Sequence, residues 1–245
     1  MYKRDKYKVI SNKQIAKNIY EMILEGDTKY IVRPGQFINI ELDGFYLRRP
    51  ISVCDYDEKT ITIIYKVVGN GTETLSTLKE GEILDVLTGL GNGFNEKRSG
   101  EKPVLIGGGV GTPPMYNLCK KLVEQGKNPT VVLGFGSIDD LFYEEKFKEL
   151  GATVYISTVD GSYGTKGFVT DVIKELQEYT YYYACGPKNM LKAVYDMADS
   201  DGELSFEEKM GCGFGACMGC TCKTTKGNKR ICKEGPVLRK EEIIW

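Results

Sequence analysis

Four cysteines near the C-terminus constrain this chain more than any other feature. Cys212, Cys217, Cys220 and Cys232 lie within 21 residues in the pattern C-x4-C-x2-C-x11-C. The stretch from Ser205 onward is rich in Cys, Gly and Lys, with too few apolar side chains to hold itself together by burial, so it needs a staple. The spacing is that of a plant-type 2Fe-2S cluster. Gly211, Gly213, Gly215 and Gly219 let the backbone wrap tightly and aim N–H groups at sulfur. Between Ser205 and Trp245 eight Lys and Arg stand against five Glu, which offsets part of the negative charge of a thiolate-bound cluster. The alternative staple is a zinc knuckle, but zinc knuckles favour C-x2-C pairs, whereas here the first spacing is four and no second C-x2-C pair follows. Cys222 is read as a non-ligand, because using Cys220-x-Cys222 would distort the spacing. The scattered Cys54, Cys119 and Cys185 read as buried small hydrophobes or site-lining residues.

Composition removes several classes of chemistry. The chain has no histidine, which excludes Ser-His-Asp and Cys-His catalysis, HExxH zinc sites and His-ligated haem. With 33 Lys and Arg against 34 Asp and Glu the net charge is -1, so no excess of positive charge favours nucleic acid. Eight cysteines would suit a secreted disulfide framework in a short chain, but in 245 residues opening on MYKRDKYKVI, with no apolar signal segment, a reducing compartment fits better. The longest uncharged stretch, Pro103 to Cys119, carries four Gly and three Pro and would make a poor spanning helix. A soluble, cytoplasmic protein without a membrane span is expected.

Three textures divide the chain. Residues 1–97 alternate in short runs such as Gln36-Phe-Ile-Asn-Ile-Glu-Leu and Thr60-Ile-Thr-Ile-Ile-Tyr-Lys-Val-Val, punctuated by Pro34-Gly35, Gly69-Asn70-Gly71 and Gly91-Asn92-Gly93. They predict a small antiparallel β-barrel, with a helix embedded at Thr72 to Leu78. The polar stretch EKRSGEK leads into a linker at 98–102. Residues 103–204 alternate strands and helices, and Met115, Leu118, Cys119, Leu122 and Val123 fall on one helical face stopped by Gly126. Further helices are expected over Asp139 to Leu150, Val169 to Leu176 and Asn189 to Met197, and strands at Thr130 to Leu133, Thr153 to Ser157 and Tyr181 to Ala184. The fold class is therefore a multi-domain β plus α/β protein: a barrel, a doubly wound parallel sheet with helices on both faces, and a small cluster-binding region at 205–245.

Two further segments carry chemistry. Gly107-Gly108-Gly109-Val110-Gly111-Thr112-Pro113-Pro114 lies between a strand and a helix, where backbone N–H groups can hold a pyrophosphate, although any strand–helix turn favours glycine. Cys185-Gly186-Pro187 follows a later strand and should reach the same carboxyl edge, where open parallel sheets bind ligands. In the barrel, Arg49 and Ser52 of Arg48-Arg49-Pro50-Ile51-Ser52 are spaced to grip a phosphate. Lys66 adds charge, and Gly71-Thr72 opens the embedded helix. An ordinary exposed basic strand remains the plainer reading of those residues alone.

Taken in order, the barrel with R-P-I-S, the sheet with GGGVG-x-PP and CGP, and the terminal C-x4-C-x2-C…C resemble the electron-transfer subunits of type B dihydroorotate dehydrogenase, in the ferredoxin-NADP reductase superfamily. The likeness spans nearly the whole chain, including Pro34-Gly35-Gln36-Phe37, Leu90-Gly91-Asn92-Gly93-Phe94, Asp160-Gly161-Ser162-Tyr163-Gly164, Met210-Gly211-Cys212-Gly213 and Gly235-Pro236-Val237. The resemblance implies FAD held by Arg49, Pro50, Ile51 and Ser52, by Ile64, Tyr65 and Lys66, and by Gly71 and Thr72. It implies a 2Fe-2S cluster on Cys212, Cys217, Cys220 and Cys232, in agreement with the spacing. NAD falls to Gly107, Gly108, Gly109, Gly111, Thr112, Cys185, Gly186 and Pro187. It further implies an FMN-containing catalytic subunit that oxidises dihydroorotate to orotate in pyrimidine biosynthesis, assembled with this chain as a heterotetramer of two plus two. Two departures stand out: Ile51 replaces the aromatic of R-x-Y-[ST], and Lys66 stands where relatives carry Arg. No protein acid or base is expected to be catalytic. The runner-up is a flavin and iron-sulfur subunit serving a sulfide dehydrogenase or a transhydrogenase-type complex, and a different class is a zinc-stapled nucleotide-binding regulator. NAD is expected rather than NADP, because Gly134-Phe-Gly-Ser-Ile-Asp-Asp-Leu-Phe-Tyr-Glu-Glu offers four carboxylates and no base to a 2'-phosphate. At the C-terminus, Ile243, Ile244 and Trp245 either meet a partner or fold back on the barrel.

Overall fold

The computed structural model describes residues 2–176 and 178–245. The period-2 runs of the first third form β1 (Lys3–Ala16), β2 (Ile19–Glu25), β3 (Phe37–Ile40), β4 (Arg49–Tyr56), β5 (Thr60–Lys66) and, after helix α1 (Asn70–Thr77), β6 (Ile83–Leu90). They close into an antiparallel barrel in the order β1-β2-β5-β4-β3-β6. Alternation places Tyr7, Val9, Met22, Leu24, Ile38, Ile40, Ile61 and Ile63 in one apolar core. Helix α1 plugs one end through Leu75, and the Asn12 amide on β1 donates to the carbonyls of Leu75 and Leu78 at 2.9 and 3.0 Å.

The middle of the chain supplies β7 (Pro103–Gly108), α2 (Thr112–Glu124), β8 (Thr130–Phe135), α3 (Glu144–Glu149), β9 (Thr153–Thr158), β10 (Thr165–Lys166), α4 (Val169–Ile173), β11 (Tyr181–Cys185), α5 (Lys188–Met197) and β12 (Gly202–Ser205). These strands pair in parallel in the order β10-β9-β8-β7-β11-β12. One sheet face packs against α2 and α3 through Leu118, Cys119, Leu122 and Phe147, the other against α4 and α5 through Val169, Val172, Leu191 and Val194. Two helices are shorter than the sequence predicts. The one expected from Asp139 starts only at Glu144, because Tyr143 takes a left-handed φ of 68° and Ile138–Asp140 form a separate 3-10 turn. Tertiary contacts hold Tyr143 there: its ring packs on Tyr116 and Phe142, and its hydroxyl donates to Glu21 of the barrel at 2.6 Å. The helix expected to run to Leu176 ends at Ile173.

The C-terminal region adds the hairpin β13 (Thr221–Thr224) and β14 (Gly227–Arg230), then β15 (Val237–Arg239), which joins the main sheet antiparallel to β12. The sheet is therefore parallel with one antiparallel edge. The region also holds itself by burial more than expected, since Cys220, Ile231, Cys232, Leu238 and Ile243 share an apolar cluster with the sheet. Asn92, in the loop after β6, locks it to the barrel: its Nδ2 donates to the carbonyls of Glu234 and Val237, and its Oδ1 accepts from Val237 N. Trp245 folds back onto Tyr195 of α5 and onto Phe206, not onto the barrel. Among the described residues no helix is long and apolar enough to cross a membrane.

Candidate cofactor sites

The four cysteines of the spacing motif come together as two pairs. Cys212 and Cys217 face each other across a tight turn, with Cys217 N donating to Cys212 Sγ at 3.4 Å and Cys212 N to Cys217 Sγ at 3.5 Å. Cys232 N donates to Cys220 Sγ at 3.4 Å, and these two side chains touch within the apolar cluster. Two thiolates on each of two irons is what a two-iron core requires, so the donor set fits the group implied by the spacing. Among the described residues no three Cys, Asp or Glu side chains converge on one point as a single-ion site would need. Burial disfavours the Cys212 thiolate, but N–H bonds from Cys217, Phe214 and Ala216 outweigh it and bring its pKa to about 6. Burial and the neighbouring Cys220 push the Cys232 thiol up to about 12, and bound iron would override that rise, because a coordinating thiol is deprotonated by the metal. Cys222 lies on β13, paired with Lys229 in the hairpin.

The glycine-rich loop and the CGP turn meet at the carboxyl edge of the parallel sheet. Cys185 is in register with Gly107, and a side chain at Gly111 would collide with the Cys185 carbonyl. Gly111 is thus required by close backbone approach, whereas Gly108 leaves room for the side chains of Met190 and Pro187. Thr112, Pro113 and Pro114 form the first turn of α2, with the two prolines at positions whose N–H groups are spare in any helix. A cleft of about 430 Å³ opens between this edge and the barrel, bounded by Gly108–Gly111, Gly186, Pro187, Asp140, Glu207 and Lys66. It adjoins a mostly apolar cavity of about 510 Å³ over Gly134, Gly136, Ser157, Phe168, Pro187 and Met190. One residue lining this cavity, Ser157, has a buried hydroxyl without a partner. Another cavity, of about 690 Å³, lies at the opposite, amino edge of the sheet between Lys102, Tyr179 and Ser200, away from every motif identified in the sequence.

On the barrel, β4 carries Arg49, Pro50, Ile51 and Ser52, all half-buried. The Arg49 guanidinium lies over the Phe45 ring, 4.5 Å from its centroid, and against Gly71 in the first turn of α1, where a side chain would displace it. An always-charged fork at a helix N-terminus, with glycine leaving room, fits a pyrophosphate. Other expected residues are engaged elsewhere. Thr72 caps α1, its Oγ1 accepting from Val68 N at 2.9 Å and Gly69 N at 3.3 Å. Tyr65 points into the barrel core, stacked on Tyr20 and bonded to Asn12 at 2.8 Å, so only its main chain can serve a ligand. Lys66 pairs with Asp140 at 3.7 Å across the cleft. Of the acidic segment after β8, only Asp140 packs beside Gly136 at the sheet edge, while Glu144 and Glu145 pair with Lys148. Asp140 comes from the acidic segment read from the sequence, whereas Ser157 at the apolar cavity and Glu207 at the cleft were not legible as site residues, because a strand end and a loop without a local motif bring them there.

A closed antiparallel barrel joined to an open parallel sheet, with a dinucleotide edge, an arginine-lined helix terminus and a paired-cysteine loop, defines a flavin reductase of the ferredoxin-NADP reductase type bearing an iron-sulfur region. Residues 207–244 match the model of the iron-sulfur cluster binding domain of dihydroorotate dehydrogenase B, and residues 105–196 that of the oxidoreductase NAD-binding domain. The chain is 46% identical over 257 aligned positions, covering 100% of each, to a dihydroorotate dehydrogenase B (NAD(+)) electron transfer subunit of Geobacillus sp. (strain WCH70). The protein of the same name from Fusobacterium nucleatum subsp. nucleatum is 44% identical, over 96% of each. Among solved structures, a chain from the NADH-dependent reduced ferredoxin-NADP oxidoreductase superposes with a TM-score of 0.87 at 31% identity, over 98% of this chain and 90% of that one. A ferredoxin NADP+ reductase of Neisseria gonorrhoeae with bound FAD and NADP shares the fold, with a TM-score of 0.68 at 16% identity over 80% of this chain and 92% of that one. This chain belongs to the family of dihydroorotate dehydrogenase B electron transfer subunits.

Proposed function

We propose that this chain passes electrons from a dihydroorotate-oxidising, FMN-containing subunit through a 2Fe-2S cluster and FAD to NAD+, in the pyrimidine pathway of the cytoplasm. The flavin is assigned to the barrel of residues 1–97, NAD to residues 103–204 beyond the linker at 98–102, and the cluster to 205–245. The observation that carries the reading is the succession of sites across one body. Strand β3, beside the Arg49–Ser52 strand, contacts the Cys212 loop, while Lys66 of β5 shares a cleft with Gly108–Gly111.

When bound, FAD would take electrons singly from the cluster and give them to NAD+ as a pair in a hydride. The chain's residues place the groups that do so. The Arg49 fork and the first turn of α1 would hold one phosphate group and the N–H groups of the glycine loop the other, while the apolar cavity at Phe168 lies beside that loop. The cysteine pairs hold the irons, and backbone N–H groups around Cys212 favour its thiolate. No residue needs to take a proton from an organic substrate, in keeping with a chain that lacks histidine.

The test is reconstitution. The purified chain should show flavin and iron-sulfur absorption, reduce artificial acceptors with NADH and leave dihydroorotate untouched. Adding an FMN-containing dihydroorotate-oxidising subunit should yield dihydroorotate-dependent NAD+ reduction in a complex of two plus two chains. Dihydroorotate oxidation by the chain alone, or failure of that subunit to associate, would overturn the assignment. The competing transhydrogenase-type reading draws on the 31% identity to the ferredoxin-linked oxidoreductase chain and predicts reduction of NADP+ by reduced ferredoxin in the native complex.

A further inference from the structure

Asn39 sits in the middle of β3, opposite Pro50 of β4 on one side and Leu87 of β6 on the other. Ile38 and Ile40 point into the barrel, so alternation turns Asn39 outward together with Phe37, which packs in the apolar cluster containing Cys220, Ile231 and Cys232. Asn39 is only 1% exposed. An outward strand position under a dry interface is better filled by Val or Leu, because a buried amide must satisfy both of its ends. This one does not: Nδ2 donates to the Cys212 carbonyl at 3.3 Å, while Oδ1 is buried without a partner. The Cys212 carbonyl can only accept, which fixes the nitrogen toward the loop. The next residue, Gly213, holds a φ of 79° and lies so close that a Cβ there would overlap the Asn39 amide nitrogen. The loop that carries the first cysteine ligand is thus hydrogen-bonded to the barrel through the Asn39 amide, beside the contact of the Phe214 ring with Tyr2.

We propose that Asn39 is a positioning residue for electron transfer: it pins the Cys212 loop to the strand beside Arg49–Ser52 and so sets the separation of cluster and flavin. The inference rests on the cofactor assignment above. It is a claim about geometry, since Asn39 itself lines neither the cleft nor the cysteine pairs.

The test uses the reconstituted holoprotein and two variants. Asn39→Leu keeps the volume and removes both polar ends, and Asn39→Asp keeps the shape and removes the donor. In a stopped-flow experiment with NADH, flavin bleaching should proceed at the wild-type rate in both variants. Release of iron to a ferrous chelator should quicken about fivefold, the factor by which a lost net hydrogen bond populates the unseated loop, and reduction of the cluster in the same trace should slow as the cluster shifts from the flavin. The low-temperature resonance of the reduced cluster should broaden. Wild-type rates of cluster reduction and iron release in Asn39→Leu would overturn the proposal, and Asn39→Asp is judged by the same two rates if Asn39→Leu does not accumulate. A wild-type protein lacking flavin or cluster absorption would instead overturn the cofactor assignment, and that failure is read from the unsubstituted chain alone.

Discussion

Replacing Glu203 by Gln should stabilise this protein, and only above mildly acidic pH. Glu203 lies on β12 between Tyr183 of β11 and Arg239 of β15 and is 3% exposed. Burial raises its pKa, while an N–H bond from Asn95 at 2.8 Å and the charges of Arg98, Arg239 and Arg33 oppose the rise. Burial wins, and the carboxyl titrates at about 7 against an ordinary 4.5. Between those values the native state holds a proton that the unfolded chain has released, so stability falls as pH rises through the window and levels off above it. At 1.36 kcal/mol per pH unit the full penalty is about 3 kcal/mol, of which about 2 kcal/mol develops between pH 5.5 and 8. Glutamine keeps the acceptor for Asn95 N and never ionises. Urea unfolding of both proteins at pH 5.5 and 8 isolates this group, because every other titration cancels in the difference. The variant should gain about 2 kcal/mol on the wild type over that interval. Parallel stability profiles would show that Arg98, whose Nε stands 4.0 Å from the carboxylate, already neutralises it at neutral pH.

Cys222→Ser should leave the visible spectrum of the cluster intact, whereas Cys220→Ser should abolish or shift it; iron loss in the first with retention in the second would reverse the ligand assignment. Arg49→Gln should weaken FAD by roughly tenfold to a hundredfold, the worth of a charge-assisted hydrogen bond, as measured by titration of the apoprotein with FAD. Residues around the apolar cavity at Phe168 include no Lys or Arg, and Asp140 stands beside Gly136, so kcat/KM for NADPH should lie on the order of tenfold or more below that for NADH in the artificial-acceptor assay.

The sequence disclosed most where chemistry is local. The cysteine spacing, the glycine loop and the alternation of the barrel strands are short-range patterns, and each maps onto the element it predicts. Features made by distant partners were hidden. The helix expected from Asp139 is cut short by Tyr143, whose left-handed backbone is held by Glu21, more than a hundred residues away. Tyr65 belongs to a motif associated with flavin, yet its side chain faces the other side of the strand, which a period of two decides and a motif does not. The terminal region read as unable to bury itself because its apolar residues are few, but they need only cover one strip of a sheet already present. Asn39 and Asn92 look like ordinary polar residues in strand and turn until the C-terminal segment is laid against them.

The lock between Asn92 and the Glu234–Val237 segment sets an order of assembly. Barrel and parallel sheet consist of residues that leave the ribosome first, and domains tend to fold as they emerge. The second cysteine pair needs Cys232, and the edge strand that seats it needs Val237–Arg239, both made after the barrel and the parallel strands. The cysteine pairs are therefore completed on a barrel that is already built, and a nonsense codon between Glu234 and Arg239 should cost the protein its cluster absorption while leaving the barrel folded.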